Sequence, residues 1–270
     1  MRINNNIGAL NAYRQMNINN LGMERSMERI NSGYRINSAR DDASGLGISE
    51  KMRAQIRGMQ QASANSQDAQ MLVRTAEGQL GSIGEMLQQM RALAVKAADD
   101  SNEAVDRTAI QQEVNQLALE ITRISNDAEH NNIKLLDGSF SAKKFQIGAN
   151  AGQNLEVTIA ASSASGLSVD ALDMSSASGA SSAITALDTA INTVTAERSK
   201  LGATDNRLKH TIDNLDLTAE NLQAAESRIR DADIAMETME FYKRMTLQQA
   251  SMSMLAQANM MPQQILRLLG

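Results

Sequence analysis

Apolar residues recur at steps of three and four over most of this 270-residue chain, the spacing that puts them on one face of a helix. From Met59 the series runs through Ala62, Ser66, Ala69, Val73, Ala76, Leu80, Ile83, Leu87 and Met90 to Ala94. Alternating steps of this kind form a heptad seam. A helix over residues 47–97 would be about 75 Å long, and Ala and Ser at many seam positions imply close approach of a partner helix. Asp99, Asp100, Ser101 and Asn102 break the pattern, and a second seam follows at Ile110, Val114, Leu117, Ile121, Ile124 and Ala128. The short connection makes the two helices antiparallel neighbours. A third seam starts at Ile184 and runs Leu187, Ile191, Val194, Leu201, Leu208, Ile212, Leu215, Ala219, Leu222 and Ile229, with Arg198, Asp205 and Glu226 as polar seam positions. This seam is expected to continue into the C-terminal stretch.

The two ends of the chain carry the feature that most constrains its function. Residues 234–270 show one stripe at Leu247, Ala250, Met254, Ala258, Met261, Ile265 and Leu268, and another at Phe241, Met245, Met252, Leu255, Leu266 and Leu269. A helix that is apolar on two faces has to be covered on two faces. The N-terminal segment offers one cover: Ile3, Ile7 and Leu10 open a helical pattern that Met16, Met23, Met27, Ile30 and Tyr34 continue, with Asn20 as a polar interruption. Its many Asn residues make it a poor isolated helix, so it is expected to be disordered alone and helical when packed. The second face then calls for other copies of the protein. The expected inner seam of such a polymer comprises Ile3, Ile7, Leu10, Leu247, Met254, Leu255, Ile265 and Leu268.

Between these helical runs the chain changes character. Residues 31–49 are dense in Gly, Ser, Asn and Asp and read as an ordered connector, with Asp41 and Asp42 at a helix N-terminus. Phe145 to Ile147 and Leu155 to Ile159 predict two short strands joined as a hairpin. Residues 160–183 are rich in Ser, Ala and Gly and predict an outward tip with little fold of its own, its serines candidate acceptors for O-linked sugars. The expected organisation is mainly α, a long antiparallel coiled-coil hairpin with one small β-hairpin. Its expected divisions are 1–40 and 235–270 as paired terminal helices, 41–183 as bundle helices with the hairpin and tip, and 184–234 as the long returning helix.

Composition narrows the function. Aromatics are 2% of the chain and there is a single proline, Pro262, which suits thin bundles of unbroken helices. The net charge of −5 comes from interspersed signs with no basic block, which argues against nucleic acid. There is no cysteine, and no apolar run approaches the roughly 18 residues of a membrane span. The opening MRINNNIGALNAYRQ has no apolar core of a secretory signal. His130 and His210 stand alone without metal-ligand spacing, no nucleophile elbow is present, and Gly45-Leu46-Gly47 is too short for a phosphate loop. No enzyme, cofactor or metal site is expected, and the methionines read as adaptable packing.

The motifs SGYRINSARDDASGLGISEKMRAQIRG, TAEGQLGSIGEMLQQMRALAV and NNIKLLDG, followed by LGATDNRLKHTIDNL, ENLQAAESRIRDADIAMETM and QQASMSMLAQANMMPQQILRLL, resemble bacterial flagellin over residues 1–160 and 184–270. The resemblance implies termini paired along a filament channel, a shell of long helices, and almost no outer domain. It also implies a homopolymer outside the cell, export without a cleaved signal through the flagellar type III apparatus, a chaperone on the C-terminal region, and contacts with cap and junction proteins. The family's innate-receptor motif is close to L-Q-R-x-R-E-L-A. Here Gln89 stands for its Arg and Ala92 for its Glu, while Arg91, Leu93 and Glu113 match, so weakened receptor activation is expected. Where the family has Phe-Asn-Gly, this chain has His130-Asn131-Asn132, and Asn can adopt the turn that Gly adopts. Two alternatives are a hook–filament junction protein and, from another class, a chemoreceptor-like signalling hairpin. The latter is disfavoured by the β tip.

Overall fold

The computed structural model describes residues 5–269, with side chains described for residues 5–261. In chain order the elements are α1 (Ile7–Ser32), α2 (Ala43–Ala97), α3 (Ala104–Asp127), β1 (Glu129–His130), β2 (Ile133–Lys134), β3 (Lys143–Gln146), β4 (Asn154–Val157), α4 (Ala177–Arg230) and α5 (Ile234–Leu269). They form two compact units. One is residues 55–220, and the other joins the residues up to 54 with those from 221 onward.

In the unit 55–220 the core is the meeting line of α2, α3 and α4. The α2 seam from Ala62 to Ala94 is buried at every expected position, and Met59 is half-buried at its edge. It packs with Ile110, Val114 and Ile121 of α3 and Leu187, Val194, Leu201 and Leu208 of α4 in one continuous cluster. Small seam residues let the helices approach, and Leu, Ile and Met fill the layers between them. At the α2–α3 turn the Arg107 guanidinium donates to the Ala97 carbonyl at 2.9 Å and the Asp99 carbonyl at 3.0 Å, covering acceptors that the end of α2 leaves open. Across α2 and α4, Glu77 meets Arg198 at 2.6 Å and Arg74 meets Asp205 at 3.1 Å.

Those two pairs correct the α4 register. Arg198 is exposed, and Glu197, one residue earlier, is the buried polar position. The Leu187, Val194, Leu201, Leu208 series is completed by Ala190 and Glu197, not by Ile191 and Arg198. Ala190 is too small to stand out beside Ile191, so the spacing alone selects the wrong neighbour. Glu197 accepts from the Ala160 amide at 3.3 Å and from the Lys200 ammonium at 3.1 Å. The unit therefore carries its one buried carboxylate among the described seam residues with partners attached.

The β3–β4 hairpin pairs Phe145 with Leu155 and Gln146 with Asn154 in antiparallel register. A second, smaller hairpin, β1–β2, pairs His130 with Ile133. Its two turn residues, Asn131 at φ 49° and Asn132 at φ 62°, both take left-handed backbone. Two central residues with positive φ match the right-handed twist of the flanking strands. The stretch 160–176 departs from expectation. Leu167, Val169 and Met174 are buried in the main cluster, and Ser162 and Ala164 are buried beside them. Helix α4 begins at Ala177, ahead of Ile184. Ser and Ala dilute the apolar signal there, but their small side chains let the backbone lie against the core while a few large residues anchor it.

In the other unit, α1 ends at Gly33, whose φ of 73° directs its amide onto the Arg29 carbonyl. Tyr34 forms an isolated bridge with Asp231, flanked by hydrogen bonds from the Arg35 amide to the Arg230 carbonyl at 2.7 Å and from the Ala232 amide to the Gly33 carbonyl at 2.9 Å. This bridge interrupts the run from α4 into α5, which the heptad pattern alone carries through. The Asp233 carboxylate then accepts from the Ala235 and Met236 amides at the start of α5. Asp41 accepts from the amides of Asn37 and Ser38 and from the Ser38 hydroxyl, while Asp42 accepts from the Gly45 amide at 2.9 Å. Asp42 thus caps the start of α2 as expected of the pair, whereas Asp41 instead closes the turn before it. Gly45 has no room for a side chain, because a Cβ there would lie against the Asp42 carboxylate and 2.8 Å from Cδ1 of the buried Ile36.

Candidate self-assembly interface

Helices α1 and α5 lie antiparallel, and their mutual contacts are unusually polar. The Asn6 amide donates to the Ala258 carbonyl at 2.7 Å, the Asn19 amide reaches the Ser251 hydroxyl at 3.4 Å, and Arg29 pairs with Glu237 at 2.8 Å. The less exposed positions of α1 include Ala9, Ala12, Met16, Asn19, Met23, Ser26 and Ile30, at steps of three and four, with Asn20, Gly22 and Arg29 half-buried beside them. Asn19 and Ser26 are the most buried of these, at 7% and 4% exposure. On α5 the half-buried positions include Phe241, Met245, Gln248, Ser251, Leu255 and Ala258.

The large apolar side chains of the pair point mostly the other way. Ile7 is 68% exposed, Leu10 64%, Leu247 43% and Met254 62%. Tyr13, Ile18, Leu21, Met252 and Met261 are also exposed. Each large apolar side chain left in water forgoes about 1.5–3 kcal/mol of burial. Small and polar groups thus share the space between the helices with the half-buried Met16, Met23, Ile30, Phe241 and Met245, while most of the pair's other large apolar groups stay in water.

The structure groups several of the expected seam residues. Ile7, Leu10 and Leu255 line one open groove of about 690 Å³, together with Asn6 and Tyr13. Leu247 and Met254 line another of about 560 Å³, together with Gly8, Ala12 and Met261. Ile3 lies outside the described residues, and so do the side chains of Ile265 and Leu268. The polar positions between α1 and α5 were not foreseen from the sequence, in which Asn20 reads as a polar interruption and the other Asn residues as weakening an isolated helix. The signal was there in the heptad spacing of Met16, Asn19, Met23, Ser26 and Ile30. Charges frame the pair: hydrogen bonds from Arg244 and Lys243 hold the Glu240 carboxyl below the usual range. The Arg244 guanidinium lies over Gly22, where a Cβ would meet it at 3.0 Å.

Of the expected receptor-facing residues, Gln89, Arg91 and Glu113 are exposed and Leu93 is half-buried against the core. The Arg91 guanidinium donates to both oxygens of Asp188, an interaction that raises its already high pKa. Among the described residues no cluster of His, Cys, Asp and Glu is placed to hold a metal ion. No described helix is long and apolar enough to cross a membrane.

A helical chain whose terminal pair turns its apolar side chains outward belongs to the class of subunits completed by neighbouring copies. Comparison with known proteins makes the assignment specific. The family model for the bacterial flagellin N-terminal helical region matches residues 3–141, and that for the bacterial flagellin C-terminal helical region matches residues 184–269. The chain is 49% identical to the flagellin of Halalkalibacterium halodurans and 45% identical to the flagellin of Bacillus subtilis, in each case over the whole of both chains. The crystal structure of Bacillus cereus flagellin superposes with a TM-score of 0.51 and 32% identity, covering 60% of this chain and 94% of that one. The chain belongs to the bacterial flagellin family. It is a structural subunit of the extracellular flagellar filament, polymerises with itself, and is not an enzyme. The hook-junction alternative finds no support.

Proposed function

We propose that filament growth is driven by ordering of the two terminal helices and burial of their outward apolar faces, with Ile3, Ile7, Leu10, Leu247, Met254, Leu255, Ile265 and Leu268 forming the seam between copies. The observation that carries this reading is the α1–α5 pair, in which Asn19 and Ser26 are buried while Ile7, Leu10 and Met254 are open to water. Contacts between unlike faces whose rotation does not close extend a polymer indefinitely. The terminal helices, 1–40 and 235–270, line the filament channel. Residues 41–183 and 184–234 form the bundle around the long-helix core. The subunit leaves the cell unfolded through the flagellar type III apparatus, with a chaperone on its C-terminal region, and is added beneath a cap protein on a base of junction proteins. The resemblance to flagellins is what supports these partners.

The test is seeded elongation followed by electron microscopy. Leu247→Lys combined with Met254→Lys is expected to slow elongation at least about tenfold, since a charge at a buried contact costs more than that factor, while far-ultraviolet circular dichroism keeps its helical signal. A variant lacking residues 235–270 is expected to form no filaments. Elongation at the unaltered rate by the double Lys variant would remove these residues from the seam.

The surface of Gln89, Arg91, Leu93 and Glu113 faces the innate receptor weakly. A Gln amide cannot reproduce the forked donors of a guanidinium, and Arg91 already spends its own on Asp188. In a reporter-cell assay Gln89→Arg is expected to raise potency about tenfold; unchanged potency would reject the assignment.

A further inference from the structure

The chain has 17 methionines and no cysteine, so thioethers are its oxidisable sulfur and no thiol of its own competes for a two-electron oxidant. The described methionines range from fully buried to exposed, Met236 and Met239 among the exposed ones. Met90 and Met174 are fully buried in the helical core. Met254 and Met261, one heptad apart on α5, are each 62% exposed and line the same groove as Leu247. Asn11 and Gln15 also line that groove and can solvate a new polar group while the face is free. A polar group on this face therefore costs little in the free subunit and much at a contact with a neighbour.

We propose that Met254 and Met261 are a methionine-oxidation site that reversibly stops subunit addition. This rests on the reading above that this face of α5 is buried between copies. Hydrogen peroxide transfers one oxygen to each sulfur. The sulfur lone pair forms the S–O bond as the O–O bond breaks, and the remaining oxygen leaves as water. The sulfur is oxidised by two electrons and the peroxide is reduced by two. The product sulfoxide is a strong hydrogen-bond acceptor in place of an apolar thioether, so docking must strip its water. A dithiol-dependent sulfoxide reductase returns the thioether, with one disulfide and one water formed per sulfur. Once a subunit is in the filament the same sulfurs are covered, so oxidation acts on subunits awaiting addition.

The experiment treats full-length subunits and preformed filaments with hydrogen peroxide, maps sulfoxides by peptide mass spectrometry and measures seeded elongation. In subunits, Met254 and Met261 are expected to be oxidised with Met90 and Met174 spared, and elongation to fall at least about tenfold. Reduction by a mixture of the two epimer-specific sulfoxide reductases with dithiothreitol is expected to restore it. In filaments, Met254 and Met261 are expected to stay reduced. A variant carrying Met254→Leu and Met261→Leu is expected to elongate and to keep its rate after peroxide. Equal oxidation of both residues in subunits and filaments overturns the proposal, as does normal elongation by subunits shown to carry both sulfoxides. Met254→Lys separates the two readings. If it elongates normally, the assembly reading fails; if it stops growth while sulfoxide subunits elongate, the oxidation inference alone fails.

Discussion

Asp41 shows how much one side chain holds in the connector after α1. Partial burial pushes its carboxyl upward, but hydrogen bonds from Ser38 and Asn37, helped by the positive charge of Arg29, more than offset this and hold it below the ordinary value of 3.8. A carboxylate with a depressed folded-state pKa stabilises the fold above its unfolded value and loses that contribution as pH falls through the folded one. Asp41→Ala is therefore expected to cost about 1–2 kcal/mol at neutral pH, for the amides and hydroxyl it leaves unpaired. The gap between the two proteins should close as pH drops below 3.8, which thermal melts across an acid series measure. A gap that persists undiminished at low pH would assign the role of Asp41 to packing.

At the scale of elements, the long helices are held by their seams and only trimmed by their charges. Leu87 is fully buried in the α2 seam, whereas Arg91, one turn on, is exposed and paired with Asp188 on α4. Truncating a core Leu costs about 2–5 kcal/mol, while an exposed ion pair contributes about 0–1 kcal/mol. Denaturant unfolding should accordingly separate Leu87→Ala from Arg91→Ala by at least about 1 kcal/mol. The α1–α5 pair obeys a different rule. With Asn19 and Ser26 as its most buried positions and Met16, Met23, Phe241 and Met245 only half-buried, it leaves many of its large residues available to neighbours. A stronger internal seam would compete for the side chains that assembly needs.

At the scale of the molecule, the continuous core belongs to residues 55–220. That segment carries the seams of three helices, the hairpin and the packed stretch 160–176. Expressed alone, residues 55–220 are expected to unfold in one cooperative transition and to neither elongate filament seeds nor slow the full chain on them. Calorimetry and a mixed elongation assay check both points. Inhibition of growth by the fragment would place growth-limiting contacts within it.

Sequence alone determined the long helical runs, the α2 seam, the β3–β4 hairpin and the family. A heptad series is a direct record of which side chains must leave water, and it survives without knowledge of the partner. The tertiary structure alone decided where neighbouring residues compete for one place. It chose Glu197 over Arg198, because a one-residue shift around a helix is invisible when the rightful seam neighbour is a small Ala190. It buried Leu167, Val169 and Met174 in a Ser- and Ala-rich stretch whose composition hides its few anchors. It broke α4 from α5 at the Tyr34–Asp231 bridge, a contact between residues far apart in the chain that no local period encodes. It also assigned the faces of α5, leaving Phe241 and Met245 half-buried and Met254 in water, because that choice depends on the side chains α1 offers in return.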